Sequence, residues 1–131
     1  MVQRKRAKQE RILTEVELEL MNVIWGLSEC TVKDVLGALP KERDLAYTSV
    51  ATIMKILETK GFLKSKKGER AHTYVTLLSR AEYEGTSLRH LANGLFNGDP
   101  TSMVMRLLGE SDLSKEEIES IKTVLEGRRQ S

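Results

Sequence analysis

Residues 46–77, AYTSVATIMKILETKGFLKSKKGERAHTYVTL, decide the fold because they join an amphipathic helix to a basic hairpin. Within residues 47–60 the apolar side chains follow the i, i+3, i+4, i+7 spacing of one helical stripe: Val50, Ile53, Met54 and Leu57. Such a stripe must face a core. Gly61 then supplies the left-handed residue that ends many helices. The spacing predicts a helix that is packed on one side and free on the other.

The free side of this predicted helix carries hydroxyls, a cation and methyl groups but no acid. Thr48, Thr52, Lys55 and Thr59 line up, flanked by Ser49 and Ile56 on one side and Ala51 on the other, with Tyr47 at the start. A solvated helix face usually mixes Glu with Lys. A face that approaches phosphates and base edges favours small, cationic and methyl-bearing groups. The pattern favours docking onto duplex DNA; the alternative is a solvated face that happens to be rich in Thr.

A basic hairpin follows the helix. Residues 63–66 and 71–77 have the alternating pattern of strands, and residues 67–70 form the turn between them. Four cations cluster near the tip: Lys64, Lys66, Lys67 and Arg70. An ordinary charged turn would look similar in isolation. Directly after the helix described above, the cluster predicts contacts with the phosphate backbone.

Two further helices precede this pair of elements. Thr14 and Glu17 form a capping box for a first helix that runs to about Trp25, and Thr31 caps a second helix that stops before Pro40. The order helix, helix, helix, hairpin predicts a mainly α winged helix-turn-helix over residues 12–78, with the third helix as recognition helix and a small β-hairpin as wing.

Composition and charge agree with a DNA-binding protein. The 131 residues are 40% hydrophobic and 31% charged, and the net charge is +2. Residues 1–75 hold 14 Lys and Arg against 10 Asp and Glu, whereas residues 76–131 hold 7 against 9. Residues 1–11 read as a basic arm that follows the DNA backbone or enters a minor groove, or as a solubilising tail. No apolar run suits a membrane span or a signal peptide, so we expect a cytoplasmic protein.

The sequence holds no pattern for a catalytic or metal site. One Cys and two His cannot supply a spaced ligand set, and no nucleophile or phosphate-loop motif occurs, so we expect no enzyme activity and no cofactor. The alternative function is a winged helix that binds a protein partner through its third helix without specific DNA binding. Steep loss of duplex binding as salt rises would favour DNA, because phosphate contacts release counterions.

Residues 79–131 predict a helical dimerisation region. Asp99 and Pro100 open one helix, and Ser114 with Glu117 forms a second capping box. These short amphipathic helices have too little mutual surface for an independent core, so we expect them to pack against a second copy of the chain. The apolar residues assigned to that contact are Leu91, Leu95, Met103, Leu107, Leu108, Ile118, Ile121 and Leu125.

Three segments together resemble the BlaI/MecI/CopY family of bacterial repressors, the penicillinase repressor family. They are LTEVELELMNVIW, AYTSVATIMKILETKGFLKSKK and LSKEEIESIKTVL, in that order, within residues 13–125. The resemblance implies a homodimer that binds a palindromic operator and blocks transcription. It places Thr48, Ser49, Thr52 and Lys55 on DNA, the same face that the spacing indicates.

The chain also departs from the pattern of this family. Some members have a longer polar residue at the position of Ala51 and Arg at that of Ile56, so guanine recognition by a bidentate Arg is absent from mid-helix and we expect thymine methyls under Thr48, Ala51 or Thr52. The paired Cys of the copper-responsive branch are missing. Inducible beta-lactam repressors are cut by a membrane sensor-protease; residues 93–104 correspond to that region but show no matching bond, so proteolytic induction stays open.

Overall fold

The computed structural model describes residues 12–68 and 72–130. Within this part the chain forms two compact units, which divide between Leu88 and Arg89. The basic arm expected at residues 1–11 and the predicted wing residue Arg70 lie outside the described residues.

The first unit is a three-helix domain with a small antiparallel sheet. Its elements are α1 (Glu15–Gly26), β1 (Glu29–Cys30), α2 (Val32–Ala38), α3 (Tyr47–Thr59), β2 (Leu63–Lys67), β3 (His72–Thr76) and the first half of α4 (Arg80–Leu95). The strand order is β1-β3-β2, and Ser65 of β2 lies opposite Tyr74 of β3. This order of elements confirms the predicted winged helix-turn-helix, in which α3 is the third helix and β2–β3 form the wing.

Local capping explains where the first two helices begin. Thr14 Oγ1 accepts a hydrogen bond from the N–H of Glu17, and Glu17 Oε1 accepts one from the N–H of Thr14. Thr31 and Asp34 repeat this reciprocal arrangement at α2. Each pair satisfies two N–H groups that a helix start leaves without partners. The capping box predicted at Thr14 is confirmed.

The core of the first unit is apolar and tightly buried. Its side chains with no exposed surface come from α1, α2, α3 and the residue before β2: Leu20, Met21, Ile24, Val35, Val50, Met54, Leu57 and Phe62. Cys30 is 1% exposed among them, and burial raises the pKa of its thiol to about 11, with Asp34 and Glu29 adding to the shift. A thiol in this setting packs as a small hydrophobe and stays protonated.

Tyr83 attaches the first half of α4 to this core. Its hydroxyl accepts a hydrogen bond of 2.9 Å from the N–H of Leu13. Its ring lies 5.8 Å from that of Trp25 and 5.7 Å from that of Phe62. The Trp25 indole N–H donates to the carbonyl of Leu78, 2.9 Å away. Tyr83 lies within the residues that the sequence assigned to the dimerisation region, yet it packs inside the winged-helix unit.

The second unit holds the end of α4, α5 (Pro100–Glu110) and α6 (Lys115–Gln130). Asn97 and Gly98 have positive φ values of 52° and 77° in the turn before α5. The Asp99 side chain then accepts from the N–H of Thr101 at the start of α5, as a helix cap should. Ser114 and Glu117 exchange hydrogen bonds of 2.9 and 3.1 Å before α6, which confirms the predicted capping box.

Candidate nucleic-acid interface

Helix α3 separates a buried side from an exposed one. Val50, Met54 and Leu57 have no exposed surface, while Ile53 is half-buried. The residues on the other side are all exposed: Tyr47, Thr48, Ser49, Thr52, Lys55, Ile56 and Thr59. Ala51 is half-buried and packs against the core. The helix therefore presents a strip of small, hydroxyl-bearing and cationic residues. Its position is fixed by buried side chains, whose removal from the core would cost several kcal/mol.

Two threonines of the exposed strip form hydrogen bonds to the helix itself. Thr52 Oγ1 donates to the carbonyl of Thr48 at 2.9 Å, and Thr59 Oγ1 donates to the carbonyl of Lys55 at 3.1 Å. This i to i−4 bonding is common for Thr in helices. The bond commits each hydroxyl proton to the helix and leaves the oxygen lone pair and the methyl group for other contacts.

The start of α3 lacks the side-chain cap that α1, α2 and α5 have. Ala46 occupies the N-cap and provides no side-chain hydrogen bond, and the first turn contains no acidic residue. The N–H groups at a helix start carry a partial positive charge and favour an anion such as a phosphate. An uncapped, acid-free start next to exposed Thr48 and Ser49 is therefore suited to a phosphate group.

The end of α3 is fixed by a glycine and by a partly buried ion pair. Gly61 has φ 89°, the left-handed value that the sequence predicted, and the N–H of Phe62 donates to the carbonyl of Leu57 at 2.9 Å. Lys60 Nζ donates to Glu17 Oε1 at 2.7 Å. Burial of the Glu17 carboxyl favours a higher pKa, but the Lys60 ammonium and the Thr14 N–H outweigh it and hold that pKa below its usual value.

The wing is attached to α3 through Glu58. Glu58 Oε2 accepts hydrogen bonds from the N–H and the hydroxyl of Ser65, at 3.1 and 2.5 Å. These two bonds lower the pKa of the Glu58 carboxyl. Ser65 lies in β2 between Lys64 and Lys66, which are exposed, as is Lys67. The one acid in the second half of α3 thus points to the wing rather than to the exposed strip.

The second unit exposes the apolar residues that the sequence assigned to dimerisation. Leu91 is 47% exposed, Leu95 68%, Leu107 62%, Ile118 40% and Leu125 55%. Met103, Leu108 and Ile121 are half-buried. Neither α5 nor α6 contains a buried residue. Several large apolar side chains exposed on the elements of one small unit are typical of a surface that binds a partner.

The described residues show no site for a metal and no membrane span. No three of their His, Cys, Asp and Glu side chains are grouped so that they could hold a metal ion. None of their helices is both long enough and apolar enough to cross a bilayer.

Comparison with known proteins identifies the family. A family model described as penicillinase repressor matches residues 13–127. The chain belongs to the penicillinase repressor family. The penicillinase repressor of Bacillus licheniformis is 30% identical to it over 114 residues, which cover 87% of this chain and 89% of that protein. The methicillin resistance regulatory protein MecI of Mammaliicoccus sciuri is 25% identical over 113 residues, covering 86% and 92%.

A solved structure also resembles part of this penicillinase repressor family member. The solution structure of the DNA binding domain of the repressor BlaI is 28% identical and covers 55% of this chain and 88% of that domain, with a TM-score of 0.49. The family match confirms the resemblance drawn from the three sequence motifs. The family consists of transcriptional repressors, so the function class of this chain is transcriptional repression.

Sequence reasoning did not find the contacts that orient α3 and the wing. Glu58 and Ser65 are seven positions apart, and Lys60 and Glu17 are 43 apart. An isolated Glu within an otherwise acid-free helix was the available signal for the first contact. No local signal in the sequence indicates the contact between Lys60 and Glu17, because the capping box already explains the presence of Glu17.

Proposed function

We propose that this penicillinase repressor family member binds a palindromic DNA operator as a homodimer and thereby represses transcription. The observation that carries the proposal is the acid-free exposed strip of α3, which is rigidly backed by fully buried residues and lies next to a wing with three exposed lysines. The alternative, a winged helix that binds only protein, has no comparable support, because the matching family model and the Bacillus licheniformis relative are both named as penicillinase repressors.

Helix α3 would enter the major groove, which is about 12 Å wide and admits one α-helix. Its uncapped start would receive a phosphate, and Thr48, Ser49, Thr52 and Lys55 would face base edges or the backbone. Lys64, Lys66 and Lys67 would contact phosphates beside the groove. Because Glu58 bonds to Ser65, the wing lysines and the exposed strip of α3 would approach the duplex as one rigid surface.

The apolar surface of the second unit supports the proposed homodimer. Each protomer leaves Leu91, Leu95, Leu107, Ile118 and Leu125 at least 40% exposed. Covering the remainder of such a side chain contributes on the order of 1 kcal/mol. One winged helix neutralises few phosphates, whereas two tethered copies on paired half-sites gain affinity through effective concentration. Dimerisation is therefore the step that would make operator binding strong.

Control of repression would act on the same step. Separating the protomers would release DNA without any ligand on the DNA-binding unit. A sensor-protease that cut within residues 93–104, which include the turn at Asn97 and Gly98, would detach α6 and all or most of α5 from the DNA-binding residues. Proteolytic induction is thus one route by which the proposed repressor could be released.

Selection of duplexes from a random pool, at a low and a high salt concentration, tests the proposed function. The full chain should enrich a two-fold symmetric motif, and Thr52→Ala combined with Lys55→Ala should abolish the enrichment. Lys115→Ala removes the same single charge from an exposed position on α6 and is the matched control; it should enrich the wild-type motif. Absence of any enriched motif at both salt concentrations would refute specific DNA binding and favour a protein partner.

A further inference from the structure

The hydroxyl of Thr52 is already engaged within α3. Its Oγ1 donates to the carbonyl of Thr48 at 2.9 Å, although both residues are exposed. A base acceptor, such as N7 or O6 of guanine, would receive this proton only if that bond broke. What Thr52 offers to a base without any rearrangement is its methyl group and an oxygen lone pair.

One turn further along, Ile56 exposes pure hydrocarbon. It is 41% exposed and is not among the residues that pack on the core, unlike Ile53 and Ala51 on the same helix. Residues i and i+4 are neighbours on a helix surface. Thr52 and Ile56 therefore form an outward-facing apolar pair that the fold itself does not use.

We infer that Thr52 and Ile56 recognise the 5-methyl groups of thymines in the operator. The inference rests on the proposed function, in which the exposed strip of α3 lies in the major groove. The thymine methyl is the one apolar group that the base pairs present in that groove. Ala51, which is half-buried against the core, contributes less to this contact than the sequence alone suggested. Lys55, which lies between Thr52 and Ile56 in the sequence, supplies a cation for the phosphate backbone of the DNA.

The size of the effect follows from one methyl group. Transferring one methyl group from water into an apolar contact changes the binding constant by about fourfold at room temperature. A two-fold symmetric operator holds each recognised thymine twice, so removal from both half-sites should weaken binding by roughly 15-fold if the two effects are additive.

Uracil substitution in the DNA isolates this methyl group. The probes are duplexes selected by the wild-type protein, with each thymine replaced in turn by deoxyuridine, which keeps the pairing and the O4 acceptor and lacks only the methyl. We expect about fourfold weaker binding at one or two thymines of each half-site. The remaining thymines of the same duplex should show no change and serve as internal controls.

Variants of the two residues assign the contact. Thr52→Ser keeps the hydroxyl and removes the methyl, so the preference for thymine over uracil should fall to about one at one position. Thr52→Val keeps methyl groups and removes the hydroxyl, so the preference should persist. Ile56→Ala should remove the preference at a neighbouring position. Wild-type Trp25 fluorescence and a wild-type midpoint of urea unfolding establish that each variant is folded.

The outcomes separate the inference from the function on which it rests. An enriched motif that tolerates uracil at every position, or that contains no thymine, overturns the inference and leaves repressor function standing. A thymine preference that survives both Thr52→Ser and Ile56→Ala overturns the assignment to these residues. If no motif is enriched, the proposed function fails and the inference fails with it.

Discussion

The ion pair between Lys60 and Glu17 fixes the C-terminal end of α3 against α1, and its burial gives the cost of breaking it. Lys60 Nζ lies 2.7 Å from Glu17 Oε1, and the two side chains are 28% and 9% exposed. Exposed pairs contribute about 0–1 kcal/mol, whereas removing one partner of a fully buried pair costs about 3–5 kcal/mol. For this intermediate burial, Lys60→Met should lower the free energy of unfolding by about 2 kcal/mol.

The cost should depend on pH in a direction that the pKa of Glu17 determines. In the wild type this pKa is lower in the folded state than in the unfolded state, so the carboxylate stabilises the fold at neutral pH and loses that effect as pH falls through the folded-state pKa. Without Lys60, burial still raises the pKa of Glu17 while the largest lowering contribution is lost, so this pKa is higher in the variant than in the wild type. Protonation of Glu17 then removes the unpaired charge in the variant. The difference in the free energy of unfolding between wild type and variant should therefore shrink between about pH 7 and about pH 4.

Urea unfolding followed by Trp25 fluorescence measures this difference. Trp25 is the one tryptophan of the chain, and its indole N–H is hydrogen-bonded to the carbonyl of Leu78 inside the winged-helix unit. All proteins are compared at the same concentration, because dimerisation would add a concentration-dependent contribution to stability. Lys33→Met removes an exposed cation from α2 and should change the free energy of unfolding by less than about 0.5 kcal/mol.

A double-mutant cycle assigns the effect to the pair. In a Glu17→Gln background, Lys60→Met should lower the free energy of unfolding by less than about 1 kcal/mol. The Glu17 carboxylate, which Lys60→Met would otherwise leave unpaired, is then absent. The reasoning is refuted if Lys60→Met costs no more than Lys33→Met, or if its cost is the same at both pH values.

Three further changes test the dimer, the attachment of α4 and the attachment of the wing. Leu107→Asp should weaken operator binding at least about tenfold through loss of the dimer, as followed by sedimentation and gel shift; a monomeric variant with wild-type affinity would contradict the proposal. Tyr83→Phe removes the acceptor for the Leu13 N–H and should cost about 1 kcal/mol in urea unfolding; an unchanged midpoint would show that the bond contributes nothing. Glu58→Gln weakens the bonds to Ser65, so the plot of log affinity against log salt should become shallower by about one as wing phosphate contacts are lost; a wild-type slope would separate Glu58 from wing placement.

Local signals in the sequence predicted most of the fold correctly. The capping boxes at Thr14 and Ser114 and the glycine at position 61 all appear in the structure, since each depends on residues within one or two turns. The buried stripe of α3 also follows from spacing alone, because helical geometry places i, i+3, i+4 and i+7 on one side.

Contacts between distant residues could not be predicted in the same way. Strand β1 has only two residues, and it exists because Glu29 and Cys30 pair with Val75 and Tyr74 of β3. Tyr83 belongs to the winged-helix core because its ring meets Trp25 and its hydroxyl meets Leu13. Both features depend on tertiary packing, which has no period or short motif in the sequence.

The residues of α3 that hold the fold and those that face outward form separate sets. Val50, Met54 and Leu57 are fully buried, whereas Thr52 and Ile56 are exposed. Exposed substitutions usually change stability by no more than about 0.5 kcal/mol, whereas shortening a buried side chain costs several times as much. Changes in the outward set therefore alter what the helix can bind without altering how it is placed. A substitution at the exposed position of Ile56 should therefore change the base preference of the proposed repressor while its fold and its proposed dimer contact are retained.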